Sequence, residues 1–482
     1  MDYKILHSRR TTIDRGWTAI ERWINSEPTE IGLLQSGALS ISSTVPFVGV
    51  IVTLSLLVAA AGISTLYYIL AGALISALQA NSISEFARVA PSSGSLIAWA
   101  QMTFGEVVST PLAYLLTTSY FAIISGLIVA SGWWLQETLI SFSAPSIPWQ
   151  VYSIFIALIV LTFIVGKARS LLNINLGLVV IQIVGLAALA AIIIARYYKN
   201  WNSSYVALPI HGQLGTSWTS AVPIAFFIFL GWENISALAP QFKGGSKSVA
   251  TKIYLAIIAT ALIAIVISFT TTLGLASDLS KIIASPTPLV EAAKSTAPYL
   301  VKVTYFLGLL SLISALFSLV TSQANIINYC GLQSYFTKRI ASKNSQPIPH
   351  KSGVILIVGA TVIGVILGSG RDPLLYFSEA ATLSALLTII AYLAINLAIP
   401  IYFRIYRPEV YSKVKHLVIP IMASIALVYP IYLLVSPNQS APFGYFGYIL
   451  GILLIVGLGV GLYRRTHLQN LKNTKLQESR LR

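Results

Sequence analysis

Charge is what this chain has least of. Of its 482 residues only 31 are Lys or Arg and 15 are Asp or Glu, so 10% are charged, against roughly 25% in a soluble domain. That deficit excludes an ordinary water-facing fold. With 56% of residues hydrophobic and a mean hydropathy of +0.79, the chain carries more apolar surface than a core of this size can hide. Cysteine is scarcer still. Cys330 stands alone, which excludes an intrachain disulfide and any paired-cysteine metal spacing. The five histidines, His7, His211, His350, His416 and His467, all fall in predicted loops or tails. None is spaced from a serine or carboxylate as in a hydrolase, and no phosphate-cradling GxxxxGK[ST] loop occurs. Enzymatic chemistry, a resident metal, a cofactor and ATP-driven transport are therefore not expected.

Long uncharged runs take the place of charge. A membrane span needs about 20 apolar residues, and uncharged windows lie at 31–84, 107–136, 138–166, 170–195, 200–232, 253–277, 303–337, 352–370, 380–403 and 416–463. The first and last windows hold two helices each, with joints near Ala60 to Ser64 and Ser436 to Phe443. The reading is an all-α polytopic membrane protein with about 12 transmembrane helices in the lipid bilayer. If the amino terminus is inside, every Lys and Arg lies in a cytoplasmic segment except Arg196, Lys199, Lys281, Lys294, Lys302 and Arg371. The positive-inside rule then places both termini in the cytoplasm. Basic residues do not cluster with aromatics on a soluble module, so no nucleic acid partner is expected. Residues 1–30 form a polar cytoplasmic segment without a signal-peptide core. Residues 466–482 form a basic tail, expected to lie on anionic headgroups and to be otherwise without structure.

Two spans are interrupted. The first contains Gly37-Ala38-Leu39-Ser40-Ile41-Ser42-Ser43-Thr44-Val45-Pro46, where Pro46 cannot donate to the helical ladder and disfavours α geometry at Val45, while hydroxyls can bond the freed backbone. The sixth contains Phe226-Phe227-Ile228-Phe229-Leu230-Gly231-Trp232-Glu233-Asn234, with a glycine, a carboxylate and an amide at mid-helix depth. Broken helices in corresponding positions of two five-helix halves point to a secondary-transporter site at the bilayer midplane. There, freed N–H groups need an anion and freed carbonyls a cation. A zwitterionic amino acid supplies both. The competing reading is that these small residues only permit close helix packing.

These residues carry a family resemblance. Phe226 to Glu233, followed by Lys243-Gly244-Gly245-Ser246-Lys247, resembles the sixth-span motif of the amino acid/polyamine/organocation (APC) superfamily of permeases. Ser84-Glu85-Phe86-Ala87-Arg88-Val89-Ala90-Pro91-Ser92-Ser93-Gly94-Ser95, continuing to Thr103-Phe104-Gly105-Glu106, is similar to that family's loop between spans 2 and 3, and Gly37-Ala38-Leu39 begins the first-span motif. The resemblance covers about Gly32 to Arg465. It implies an inverted five-plus-five repeat with broken helices 1 and 6 (about 31–196 and 218–405) plus two extra spans (416–463), together a permease domain of 31–465 in the plasma membrane. It also implies an amino acid substrate held at Gly37, Ser40, Ile41, Ser42, Ser43, Thr44, Phe227, Phe229, Leu230, Gly231 and Trp232. In that pose the carboxylate meets the N–H groups and hydroxyls of Ser42 to Thr44, the ammonium meets carbonyls of Gly37 to Ser40 and Phe227 to Leu230, and Phe227 acts as the gate.

Departures from the family pattern bear on coupling. Ile41-Ser42-Ser43 stands where two glycines flank a small residue, which narrows the pocket. Gln182, in Ile181-Gln182-Ile183, stands where proton-coupled members carry a lysine. Ser311, Ser314 and Ala315 match a sodium site of this fold with one hydroxyl missing. Proton, sodium and uncoupled transport all stay open. Glu233 and Glu379 are the candidates for proton binding or pH sensing, because ionisable groups inside a bilayer are costly. Glu379 reads equally as an outer gate or a packing contact, and Glu106 and Glu137 read as solvated span ends. Two other functions stay in view: transport of an organic cation or polyamine with Glu233 and Glu379 as countercharges, and a non-transporting membrane sensor.

Overall fold

The computed structural model describes residues 31–166, 168–200, 218–243, 245, 247–342 and 348–480. The polar segment 1–30, His7 and His211 lie outside the described residues. In a lipid interior every backbone N–H and C=O must find a partner within the protein, and a helix meets that demand locally. Accordingly the regular structure of the described residues is helical, with one isolated backbone bridge, between Ile31 and Phe242.

In chain order the helices are α1 (Leu33–Ser42), α2 (Val48–Ala61), α3 (Thr65–Val89), α4 (Ser95–Phe104), α5 (Glu106–Ser141), α6 (Trp149–Val165), α7 (Ala168–Tyr197) and α8 (Trp218–Phe227). A tight helical segment, Trp232–Gln241, follows α8. Then come α9 (Lys247–Gly274), α10 (Leu279–Ala284), α11 (Pro288–Thr296), α12 (Pro298–Leu332), α13 (His350–Gly368), α14 (Pro373–Tyr406), α15 (Ile419–Val435) and α16 (Phe446–Arg480). Ten helical stretches among the described residues are long and apolar enough to cross a membrane. One of them, Val48–Val89, is 42 residues long and turns at Gly62–Ser64. Trp149–Val165 is a shorter apolar helix.

Helix α5 forms the centre, packed by α14, α16, α6, α12 and α13. Burial grades outward from there. In the apolar 18-residue window of Thr219–Gln241 78% of the residues are buried, against 22% in that of Phe443–His467, so the second broken span is enclosed by protein and the last helix lies on the rim. Leu34, Val184, Ile425 and Ile455 are among the apolar side chains left exposed, a belt suited to lipid.

Several polar ties close the face of the bundle at which α1 begins. Ile31 N donates to Gln241 O at 2.9 Å, and Lys243 N donates to Ile31 O at 3.0 Å. Gln241 Nε2 donates to Asn325 Oδ1 (3.1 Å), Tyr329 OH to Gln101 Oε1 (2.6 Å), and the Ser95 and Ser236 hydroxyls lie 2.5 Å apart. Glu85 on α3 meets Arg88, Lys415 and His416.

Two sequence expectations change. The tail continues α16 as helix to Arg480; beyond Gly461 the sequence has no glycine or proline to stop it. His416 is not in a loop. It is buried in the π-helical turn Val414–Val418, stacked on Phe403 with ring centroids 3.9 Å apart and 3.3 Å from Glu85. His350 opens α13 and His467 lies within α16.

Helices α5 and α6 approach closely at Gly132, where an added Cβ would lie 2.5 Å from Trp149 O and overlap Ser153 Oγ. Replacing it by a branched side chain forces two helix backbones apart. Gly132→Val is therefore expected to lower stability by about 1–3 kcal/mol, read as a lower midpoint for thermal unfolding in detergent.

Candidate functional site

Both interruptions expected from the sequence are present, and they face each other. Helix α1 ends at Ser42 and α2 starts at Val48; between them Val45 adopts φ +49°, an uncommon backbone for a β-branched residue. Helix α8 ends at Phe227, and Gly231, with φ +113°, begins the next segment. A Cβ at Gly231 would collide with Ser43 O, so only glycine fits where the two breaks cross.

Four half-helix ends meet at this level, and the chain closes two of them itself. At the carboxyl end of α1, the Ser42 hydroxyl donates to Ala38 O (2.9 Å), Ser43 to Ser40 O (2.7 Å) and Thr44 to Ile41 O (2.9 Å). Ser318 from α12 donates to Leu39 O (2.5 Å). At the amino end of Trp232–Gln241, Glu233 closes the other. Its Oε2 accepts from Gly231 N (3.0 Å) and Tyr392 OH (2.5 Å), and its Oε1 accepts from Asn234 Nδ2 (2.9 Å). Asn234 Oδ1 in turn accepts from Gln323 Nε2 (3.3 Å).

The other two ends front a cavity of about 360 Å³. At the amino end of α2, Phe47 provides no side-chain cap, and Val45, Gly49 and Val52 line the space. At the carboxyl end of α8, Phe227, Ile228 and Leu230 line it. Oriented peptide dipoles make the first end partly positive and the second partly negative. The rest of the wall includes Ser119, Tyr120 and Ile123 of α5, Leu319 and Gln323 of α12, and Phe377, Ser384 and Thr388 of α14. The lining reaches Leu434, Gln439 and Phe443 around the α15–α16 connection. The cavity thus extends away from the face closed by Ile31, Gln241 and Lys243. Among the described residues no three His, Cys, Asp or Glu side chains gather as a metal site would require.

Of the residues singled out by sequence, Ser43, Thr44, Phe227, Leu230, Gly231 and Glu233 line this cavity. The others lie behind it. Gly37 packs near Leu255, and the Ser40 hydroxyl donates to Lys252 O (2.6 Å). Ile41 and Ser42 face a separate small crevice that also holds Gln182. Phe229 is fully buried, and Trp232 stacks on Tyr392 at 5.4 Å. The hydroxyls of the first break, expected to receive a carboxylate, donate to α1's own carbonyls. Gln182 Nε2 donates to Leu310 O (3.2 Å). The amide hydrogen-bonded to the first break is Asn175, seven residues earlier, whose Nδ2 donates to Ser42 Oγ (3.2 Å) and whose Oδ1 accepts from Ser314 (2.8 Å). Ser311 Oγ is buried without a hydrogen-bond partner among the described residues. Glu379 stands outside the wall, paired with Arg371 at 2.7 Å.

Sequence reading missed Tyr120, Tyr392, Gln323 and Asn175. A signal existed for one group: Ser384, Thr388 and Tyr392 recur every four residues in an apolar span, a polar stripe on one helix face.

Comparison with known proteins adds a match over residues 31–458 to the family described as "Amino acid permease". A relative from Bacillus subtilis (strain 168), "Uncharacterized amino acid permease YecA", is 23% identical over 241 residues, 49% of this chain and 54% of that protein. The match thus spans about half the length of that relative.

The Glu233 network generates a prediction. Three donors converge on an acceptor-only group, and Glu233→Gln turns an NH₂ toward one of them. The variant is expected to lose about 1–3 kcal/mol of stability in thermal unfolding, and Glu233→Ala more. Equal stability of wild type and Glu233→Gln would show that the native carboxyl is itself protonated.

Proposed function

The chain belongs to the amino acid permease family, and from that premise we propose that it is a secondary transporter moving amino acids across the plasma membrane by alternating access. The observation that carries the reading is the pair of half-helix ends of opposite dipole sign fronting one cavity. An α-carboxylate fits the amino end of α2 near Val45 to Gly49, and an α-ammonium fits the carboxyl end of α8 near Ile228 and Leu230. Closed half-helix ends on the opposite side leave the substrate no competing anion or cation site.

In this reading the chain crosses the membrane twelve times. The interrupted α1–α2 is the first span, α3 the second, and α6 a short fourth; α8 with Trp232–Gln241 is the sixth. The termini are cytoplasmic and the cavity faces outside. Phe227, which lines the cavity only partly buried, closes over bound substrate. The group formed by α1, α2, α3, α8, Trp232–Gln241 and α9 then rocks against the remaining helices. The ties from Gln241 to Asn325 and from Ser236 to Ser95 break, and an inner path opens.

Transport by facilitated diffusion or exchange is favoured over ion coupling. Between the first break and α12 the chain Ser42, Asn175, Ser314 is uncharged and internally hydrogen-bonded, and Glu233 is fully engaged as a brace. Uptake of labelled amino acids into liposomes loaded with unlabelled amino acid is expected to persist with ion gradients and membrane potential collapsed. A strict sodium or proton requirement would refute the uncoupled cycle. Gly49→Val, whose Cβ has room (nearest atoms at 3.8 Å), crowds the amino end of α2 without disturbing the fold. It is expected to raise KM about 10-fold with thermal stability unchanged.

A further inference from the structure

The cavity carries almost no charge. Among the described residues that line it there is no Lys, Arg, His or Asp, and the single carboxylate is Glu233. That carboxylate faces the amino end of Trp232–Gln241 and already accepts from Gly231 N, Asn234 Nδ2 and Tyr392 OH. The other acid near this region, Glu379, is paired with Arg371. Once the helix ends of α2 and α8 hold a substrate's α-carboxylate and α-ammonium, the remaining wall offers only hydroxyls, amides and hydrocarbon.

That wall has a defined polar spot. Ser119 Oγ lies 2.7 Å from Ser384 Oγ, 2.9 Å from Thr388 Oγ1 and 3.0 Å from Ser384 O. Hydroxyls rotate to donate or accept as needed, so this cluster can meet a neutral polar group of either kind. It cannot neutralise an ion. Ile123, Leu319, Phe377, Ala381 and Ala385 surround it with hydrocarbon.

We propose that this permease selects amino acids with uncharged side chains, and that the Ser119, Ser384 and Thr388 wall is what reads the side chain. The proposal rests on the amino acid transport reading above. An anionic side chain entering this space loses its water and meets no countercharge, and a cationic one meets only Glu233, whose oxygens are already engaged by Gly231 N, Asn234 Nδ2 and Tyr392 OH; burial of the ion is costly in both cases. The same charge balance argues against a polyamine as substrate.

The test is competition against uptake of labelled leucine in proteoliposomes, paired with thermal stabilisation of the purified protein. Leucine, threonine, phenylalanine and glutamine are the neutral probes; lysine, arginine, glutamate and putrescine are the charged ones. The neutral set is expected to bind at least about 100-fold more tightly than the charged set. Charged probes within about 10-fold of the neutral ones would overturn the selectivity while leaving amino acid transport intact. No binding by any probe would overturn the transport reading and this proposal with it. A gain-of-function arm adds a countercharge: Ser384→Asp, and the less buried Thr382→Asp in case the first fails to fold. Either folded variant is expected to gain at least about 10-fold in affinity for lysine and arginine relative to leucine. A folded Thr382→Asp protein with an unchanged lysine-to-leucine ratio would overturn the assignment of this wall to the side chain.

Discussion

An unpaired backbone group is too costly to keep inside a bilayer, and the architecture of this permease follows from how it manages the two places where its helices break. Nine residues, Ser43 to Phe47 and Ile228 to Gly231, lie between the half-helices. The chain covers the carboxyl end of α1 with four hydroxyls and the amino end of Trp232–Gln241 with one carboxylate. The ends of α2 and α8 front the cavity, and the proposed substrate docks there. The packing of α3, α9 and α12 around those breaks supplies protein where lipid could not solvate irregular chain.

The division of labour among the polar groups is correspondingly sharp. The hydroxyls of Ser42, Ser43 and Thr44 act as backbone caps here, and the cavity wall draws further hydroxyls from Ser119, Ser384 and Thr388 on helices that carry no break. Glu233 illustrates the shift. Its position beside Gly231 marks it as functional from sequence, yet its three donors make it the keystone of a network running through Asn234 to Gln323. The network ties the second break to α12 and α14, which remain in place while the broken helices move in the proposed cycle.

Much of this was legible beforehand, for identifiable reasons. Long uncharged windows, Pro46 and Gly231 reveal spans and breaks because they act through the backbone, whose rules are local. Side-chain partnerships are not local. Gln182 and Asn175 sit two helical turns apart on α7 and differ in reach to the first break by only their place along the helix; no motif distinguishes them without α12 beside them. The same holds for Tyr392, which meets Glu233 across 159 positions of chain. His416 appeared to lie in a loop because its flanking charges, Lys413 and Lys415, hide a π-helical turn packed on Phe403.

The bridge from Ile31 to Gln241 and Lys243 has a mechanical consequence. Two backbone hydrogen bonds join the start of the first span to the end of the sixth, so α1 and Trp232–Gln241 are yoked at their far tips as well as at the crossing of Ser43 and Gly231. A pair of rods pinned at both ends behaves as one lever. In the proposed cycle neither half-helix swings out alone without tearing the yoke, and the passage on that face opens as a single event with no half-open leak.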